Sequence, residues 1–255
     1  MKAIILAAGE GSRLRPYTSD RPKCLVEIEG KSLIERQLEV LKKENINSII
    51  LVGGYYGEML RFLGFELRIN HMFATTNMVW SLFCAEQELE GDIIISYGDI
   101  VYSPEVLRML LASEQDIAVA IDLDWESYWR ARNENPLNDA ETLKLASNGQ
   151  ILEIGQKPKS MDEIEGQYMG LMKFTSNGLY TLKKTFHEAK VNGNLRGKPV
   201  EKAYMTDLLQ EMIGKGYRIN SVPVHGGWVE VDTVNDLKNE CTIKRLKSIE
   251  LATKD

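Results

Sequence analysis

The chain has 255 residues, 44% of them apolar and 27% charged, enough for a substantial core and unlike a disordered or fibrous composition. A formal net charge of −6 excludes the broad basic face that nucleic acid or an acidic membrane surface requires. Cys24, Cys84 and Cys241 are widely spaced and form no C-x-x-C pair, which excludes a disulfide framework.

In chain order, residues 2–7 (KAIILA) read as a buried strand that runs into a loop, too short an apolar stretch for a signal peptide. No apolar run reaches membrane-spanning length, so the expected location is cytoplasmic. Residues 32–44 read as an amphipathic helix with Ser32 as N-cap, and 48–53 and 92–97 as strands. Helices are expected over 78–90 and 104–113, the second opened by Pro104, followed by a strand over 116–121. This alternation implies a mostly parallel sheet covered on both faces. Beyond it, 150–155 and 167–175 read as strands, 177–190 as a helix, 192–200 as a polar loop and 203–214 as a helix. Strands at 217–224 and 228–231 and a terminal helix at 233–249 complete the chain. The predicted fold class is α/β: one domain over 1–255, built on a mostly parallel (mixed) twisted sheet flanked by helices, Rossmann-like in layout.

The stretch after the first strand, LAAGEGSRLRPYTSDRPK, concentrates Gly9, Gly11, Arg13 and Lys23 between stiffening prolines at 16 and 22. Backbone N–H groups folded by glycines, with two cations at the same mouth, make a cradle for a polyanion. There is no third glycine of a dinucleotide fold and no G-K-[ST] of a P-loop, and G-x-G-x-R alone would equally suit a plain turn. The whole phrase A-A-G-x-G-x-R-L-x-P-x-T-x-x-x-P-K is more specific. Residues 7–23 match it at every fixed position, and it closely resembles the signature of the nucleotidyltransferases that include sugar-1-phosphate nucleotidyltransferases and phosphocholine cytidylyltransferases.

That resemblance implies a reaction in which a nucleoside triphosphate and a phosphorylated small molecule give a nucleotide-linked product and pyrophosphate. It implies that Leu6, Ala7, Ala8, Gly9 and Gly11 line the nucleotide, that Arg13 holds the departing pyrophosphate and that Lys23 neutralises the α-phosphate. Gly54, in VGGYYGE after the second strand, forms another wall of that pocket. The family also uses Mg2+. Asp99 stands just past the end of an apolar strand, where open α/β sheets bind ligands, and the resemblance makes it one metal ligand. GGWVEVDT at 226–233 approximates a second family motif and nominates Asp232 as the other, with Glu230 a weaker contender. Thr206 or Asp207, in YMTDLLQ, is expected to cap a helix.

Substrate choice rests on departures from the sugar-nucleotide pattern. TTNMVWSLFCA at 75–85 resembles the phosphocholine cytidylyltransferase branch, so Asn77 and Ser81 are expected to read the base or ribose of CTP. IGQKPKS resembles the family's E-K-P segment, which nominates Lys157 for the acceptor phosphate, with Gln156 in place of the usual glutamate. Residues 122–144 concentrate Trp129, Arg132 and Glu141 among other aromatic and acidic groups. These, with Gln167, Tyr168 and Trp228, are the acceptor-binding expectation, either a cation–π and carboxylate box or an arginine grip on an anion. A Trp-rich helix packing on the sheet reads the 122–144 stretch equally well. The segment is similar to cytidylyltransferases acting on amino-bearing phosphates or phosphonates, in phosphonate, phosphoramidate and surface-polysaccharide pathways.

The leading expectation is therefore Mg2+-dependent transfer of CMP from CTP to such an acceptor, with the nucleotide part at about 1–121, the acceptor part at about 122–232 and the C-terminal helix at 233–249. A sugar-1-phosphate uridylyl- or thymidylyltransferase and a catalytically silent nucleotide-binding relative are the competing readings. The expected partners are CTP and a phosphorylated small molecule, without nucleic acid or membrane, and a homodimer is compatible with the sequence.

Overall fold

The computed structural model describes residues 1–254. The first strand, β1 (Lys2–Ala7), shows why the chain needs layers on both sides: Ala3, Ile5 and Ala7 enter one apolar core, Ile4 and Leu6 the other. Side chains alternate across a strand, so an uninterrupted apolar run must be covered twice. Helix α1 (Leu33–Lys43) supplies cover on the first face, opened by a Ser32–Glu35 capping box and burying Leu33, Ile34, Leu38 and Leu41. The chain continues through β2 (Ser48–Gly53), β3 (Glu66–Ile69), α2 (Met78–Phe83), β4 (Ile93–Tyr97), β5 (Ile100–Tyr102), α3 (Pro104–Ala112), β6 (Ile117–Asp122) and α4 (Trp125–Arg132). It ends through β7 (Gln167–Phe174), α5 (Ser176–Asn192), α6 (Met205–Gly214), β8 (Asn220–Val224), β9 (Trp228–Glu230), α7 (Val234–Lys238) and α8 (Glu240–Lys254).

Among the described residues, seven strands form one sheet in the order β8-β6-β7-β4-β1-β2-β3. β7 runs antiparallel to both its neighbours, β4 and β6, while the other pairings are parallel. The sheet is thus the mixed, mostly parallel one expected. Helices α1, α3, α4 and α8 contribute to the core on one face, and α2, α5 and α6 to the core on the other. β5 leaves the main sheet to pair antiparallel with β9, register Val101 to Val229. This two-strand ribbon joins the middle of the chain to its end.

Three expectations need correction. The helix expected over 78–90 stops at Phe83 and resumes as a single 3-10 turn at Glu86–Glu88. The buried residues Val79, Leu82, Ala85 and Leu89 have helical spacing, which a helix followed by a turn satisfies equally well. The loop over 192–200 holds a tight hairpin, Asn194–Leu195 against Lys198–Pro199. Its turn residues Arg196 and Gly197 both have positive φ, 51° and 79°, as a two-residue primed turn demands. The terminal helix is broken at Asn239, whose Oδ1 accepts from the Cys241 N–H at 2.9 Å, and α8 runs on to Lys254. Strands β3 and β5 were missed because each is short and carries little alternation.

Candidate active site

Two 3-10 turns shape the loop beyond β1, Ser12–Leu14 and Lys23–Leu25, and the buried side chains of Leu14 and Leu25 anchor them. Gly11 has φ +63°, and a Cβ there would lie 3.0 Å from Lys23 Cβ, so glycine is needed for the two halves of the loop to meet. Buried Thr18 ties the same point, its Oγ1 donating to the Gly11 carbonyl at 2.8 Å. The result is a cavity at the carboxyl ends of β1 and β4, walled by Leu6, Ala7, Ala8 and Gly9 on one side and by Asn77 and Ser81 on another. Lys23, Tyr97 and Asp99 close its floor. Gly54 does not line this cavity. A Cβ on it would sit 2.5 Å from the Ala8 carbonyl, which accepts from Tyr55 N–H at 3.1 Å, so Gly54 lets the end of β2 press on the loop. Asn77 caps α2 through Met78 N–H, and Ser81 Oγ accepts from Asn70 Nδ2 at 2.9 Å.

Lys23 reaches the two aspartates singled out in the sequence. Its Nζ lies 2.6 Å from Asp99 Oδ2 and also donates to Asp232 Oδ1. Arg13, more than half exposed, donates to Asp232 Oδ2 at 2.6 Å. The β5–β9 ribbon makes this meeting, since Asp99 precedes β5, Asp232 follows β9, and Val231 N–H donates to the Asp99 carbonyl at 3.0 Å. Glu230 joins them: one oxygen from each of Asp99, Glu230 and Asp232 lies within 4.8 Å of the others. Burial opposes the charge on Lys23, but Asp99, Asp232 and Glu230 outweigh it and hold the ammonium above its ordinary value. Asp232, although half-buried, is kept below the usual carboxylate range by Lys23 and Arg13, whereas desolvation and the neighbouring Asp232 push Glu230 up. Asp99 Oδ1 is buried and has no hydrogen-bond partner among the described residues. An all-oxygen carboxylate set with an orphaned buried oxygen fits a hard cation such as Mg2+.

Three residues expected at the acceptor lie elsewhere. Trp129 and Trp228 are 3% and 1% exposed and belong to the core beneath α4, where Trp228 Nε1 donates to buried Asp122 at 2.9 Å. Arg132 has 3% of its side chain exposed and grips no anion from solution. It donates to Glu230 and to Asp236, each at 2.8 Å, with its guanidinium over the rings of Tyr128 and Trp129 at 5.1 and 5.3 Å. Asp236 Oδ2 in turn accepts from Asp232 N–H at 2.9 Å and Thr233 N–H at 2.8 Å. Arg132 therefore supports the turn that carries Asp232.

The other acceptor candidates converge from a second direction. Gln167 is buried and clamps the Glu141 backbone, donating to its carbonyl at 2.6 Å and accepting from its N–H at 3.3 Å. Tyr168 meets Tyr97 edge to face, centroids 5.7 Å apart. Gly170, φ +76°, opens the bulge in β7 for this contact, since a Cβ there would lie 2.6 Å from the Tyr97 ring. Burial and Asp207 push the Glu141 carboxyl up to about 7, against a hydrogen bond from Thr206. Asp207 receives both bonds from Lys198, each at 2.8 Å, and accepts from Tyr204 N–H at 2.9 Å as part of the α6 start. Lys157 is spent on the carbonyls of Leu137 and Asn138. Tyr97 and Lys198 were not assigned as site residues from sequence, and Glu230 stood there only as the weaker contender for the metal.

Fold and site together define an enzyme that handles a nucleoside triphosphate. Residues 3–150 match the MobA-like NTP transferase domain, and the chain belongs to that family. Over 249 residues it is 41% identical to CTP:phosphoglutamine cytidylyltransferase of Campylobacter jejuni, covering 93% of this chain and 98% of that protein. It is 42% identical over 106 residues to choline-phosphate cytidylyltransferase of Streptococcus pneumoniae, covering 40% of this chain and 46% of that protein. The solved structure of CTP:phosphocholine cytidylyltransferase from the same organism superposes with a TM-score of 0.70 at 22% identity, covering 98% of each chain, which shows the shared fold.

Proposed function

We propose that this protein is a Mg2+-dependent cytidylyltransferase that transfers CMP from CTP to a small amino-bearing phosphate or phosphonate and releases pyrophosphate. The observation that carries the reading is Lys23 Nζ held between Asp99 and Asp232 at the floor of the β1 cavity. The 41% identical relative, named for CTP and phosphoglutamine, supports the choice of nucleotide and of an amino-bearing acceptor. An acceptor phosphate oxygen bonds to the α-phosphorus as the bond to the departing pyrophosphate breaks, which calls for alignment and charge neutralisation and no covalent nucleophile. Lys23 neutralises charge at the α-phosphate, and Arg13, at the exposed mouth, holds the pyrophosphate. Leu6 to Gly9 receive the nucleotide, with Asn77 and Ser81 at the base or ribose. Asp99 and Asp232 would hold Mg2+, which when bound supplies Lewis-acid neutralisation of phosphate oxygens. Glu141 and Tyr168 form the acceptor side, within the part of the chain from 122 to 232, and the nucleotide side lies within 1–121.

Among the described residues no helix is long and apolar enough to cross a membrane, and a cytoplasmic location is part of this reading. The test is a pyrophosphate-release screen crossing CTP, UTP, ATP, GTP and dTTP with phosphocholine, phosphoethanolamine, aminoethylphosphonate, phosphoglutamine and glucose 1-phosphate. Turnover is expected with CTP and an amino-bearing acceptor. Turnover confined to UTP or dTTP with the sugar phosphate overturns the assignment.

A further inference from the structure

Helix α1 buries two polar side chains, Arg36 near its start and Gln37. Gln37 is completely inaccessible to solvent. A primary amide in such a place costs stability unless its hydrogen bonds are made, and here they are. Nε2 donates to the carbonyl of Tyr97 at 2.9 Å and to that of Ile100 at 2.6 Å, while Oε1 accepts from Ser96 Oγ at 2.8 Å. Ser96 is itself fully buried. All three partners belong to the segment that ends β4 and begins β5, and the two carbonyls bracket Gly98 and Asp99. The opposite side of this turn is pinned to β1, Gly98 N–H donating to the Leu6 carbonyl at 2.8 Å. A Cβ on Gly98 would come within 3.0 Å of both Ala7 Cβ and the Leu6 carbonyl, so the turn cannot approach β1 more closely.

We infer that Gln37 is a positioning residue for Asp99, its amide clamping the Tyr97–Ile100 turn so that the Asp99 carboxylate faces Lys23 and Asp232. The inference rests on the metal-ligand role proposed for Asp99. Without the clamp, the carbonyls of Tyr97 and Ile100 lose their shared donor and the turn can rotate. The same turn sets the start of β5, and β5 sets the register of β9, the strand that leads into Asp232. One amide thus holds both ends of the carboxylate set in relation to the cavity.

The test replaces Gln37 by Met, which keeps length and bulk while removing all three hydrogen bonds. Mn2+ binding to the protein with CTP is followed by electron paramagnetic resonance. Outer partners of metal ligands change affinity by roughly 10–100-fold when removed. Gln37→Met is expected to weaken Mn2+ by about tenfold or more and to raise the half-saturating Mg2+ in pyrophosphate release by a similar factor, leaving KM for CTP within about twofold. Ser96→Ala keeps the amide but frees its oxygen, so it serves if Gln37→Met does not fold; about a threefold weakening of Mn2+ is expected. Lys173→Met provides the control for lost stability alone, since its ammonium donates to the carbonyls of Leu111 and Ser113 at 3.0 and 2.6 Å, at the far end of α3. Mn2+ affinity unchanged in the folded Gln37→Met protein, or in Ser96→Ala where that variant stands in, or lowered equally by Lys173→Met, overturns the positioning role. Asp99→Asn separates the two levels. If it too leaves Mn2+ binding unchanged, the metal-site reading fails; if it abolishes binding while Gln37→Met does not alter it, only the inference about Gln37 fails.

Discussion

The loop from Gly9 to Lys23 and the helix from Trp125 to Arg132 both bring cations to the carboxylates at and beyond the end of β9. Lys23 and Arg13 approach Asp232 from the cavity, whereas Arg132 approaches Glu230 and Asp236 from beneath, between aromatic rings. The loop lies at the carboxyl end of a central strand, where backbone and side chains can face a ligand, and the helix lies across one face of the sheet, where they face the core. The two cations therefore share an acidic neighbourhood and differ in what they can touch. An arginine enclosed by two carboxylates and two rings is shut off from a substrate, but it fixes the turn that carries Asp232.

That contrast can be broken most directly at Lys23. Lys23→Ala removes the cation nearest the proposed phosphoryl site and is expected to lower kcat by about 10²-fold or more, by analogy with loss of a transition-state charge stabiliser. Pyrophosphate release near the wild-type rate would place the chemistry elsewhere. Arg132→Met should act on stability. It leaves buried Asp236 and half-buried Glu230 without their cation, a loss of roughly 3–5 kcal/mol. For a chain of this size the melting temperature should fall by about 10 °C. Acceptor KM in the folded fraction should stay within about twofold. A stable Arg132→Met protein with a tenfold higher acceptor KM would return the arginine to the substrate.

A smaller effect tests the same boundary at the rings. Trp129→Phe trims a core side chain whose indole N–H has no hydrogen-bond partner among the described residues, so packing alone is lost. About 1–2 kcal/mol is expected from thermal unfolding, with acceptor selectivity unaltered. A shift in selectivity among ammonium-bearing acceptors, without a fall in stability, would revive the cation–π box.

The loop was legible in the sequence because its geometry is local. Glycine at a positive-φ position, buried Leu14 and a lysine at a fixed offset are set by a continuous stretch of chain. The sheet was legible for a related reason, since runs such as IIISY announce strands buried on both sides. The helix over 125–132 carried its own warning: Trp125, Tyr128, Trp129 and Arg132 recur at helical spacing on one face, which is how a core stripe is written. Sequence could not say whether that stripe faces the sheet or a ligand, because the answer depends on strands far away in the chain. Gln37 was silent for the same reason. Its partners lie in a turn that only folding brings to α1.

The smallest effect concerns Glu141, on the acceptor side of the comparison. Burial and Asp207 raise its carboxyl from an ordinary 4.5 to about 7, opposed by Thr206 and Lys198, with Asp139 adding to the rise. The folded protein then holds this proton more tightly than the unfolded chain. Stability from Glu141 is fully present below about pH 4.5 and is lost as pH rises through about 7. Glu141→Gln carries no titrating group, so denaturant unfolding should find it more stable than wild type at pH 8, with that advantage shrinking toward pH 5. A difference independent of pH would mean that the carboxylate is not strained in the folded state. The same variant measures what the strain is for: if the Glu141 carboxylate faces the acceptor's ammonium, Glu141→Gln should raise KM for amino-bearing acceptors several-fold while leaving KM for CTP unchanged.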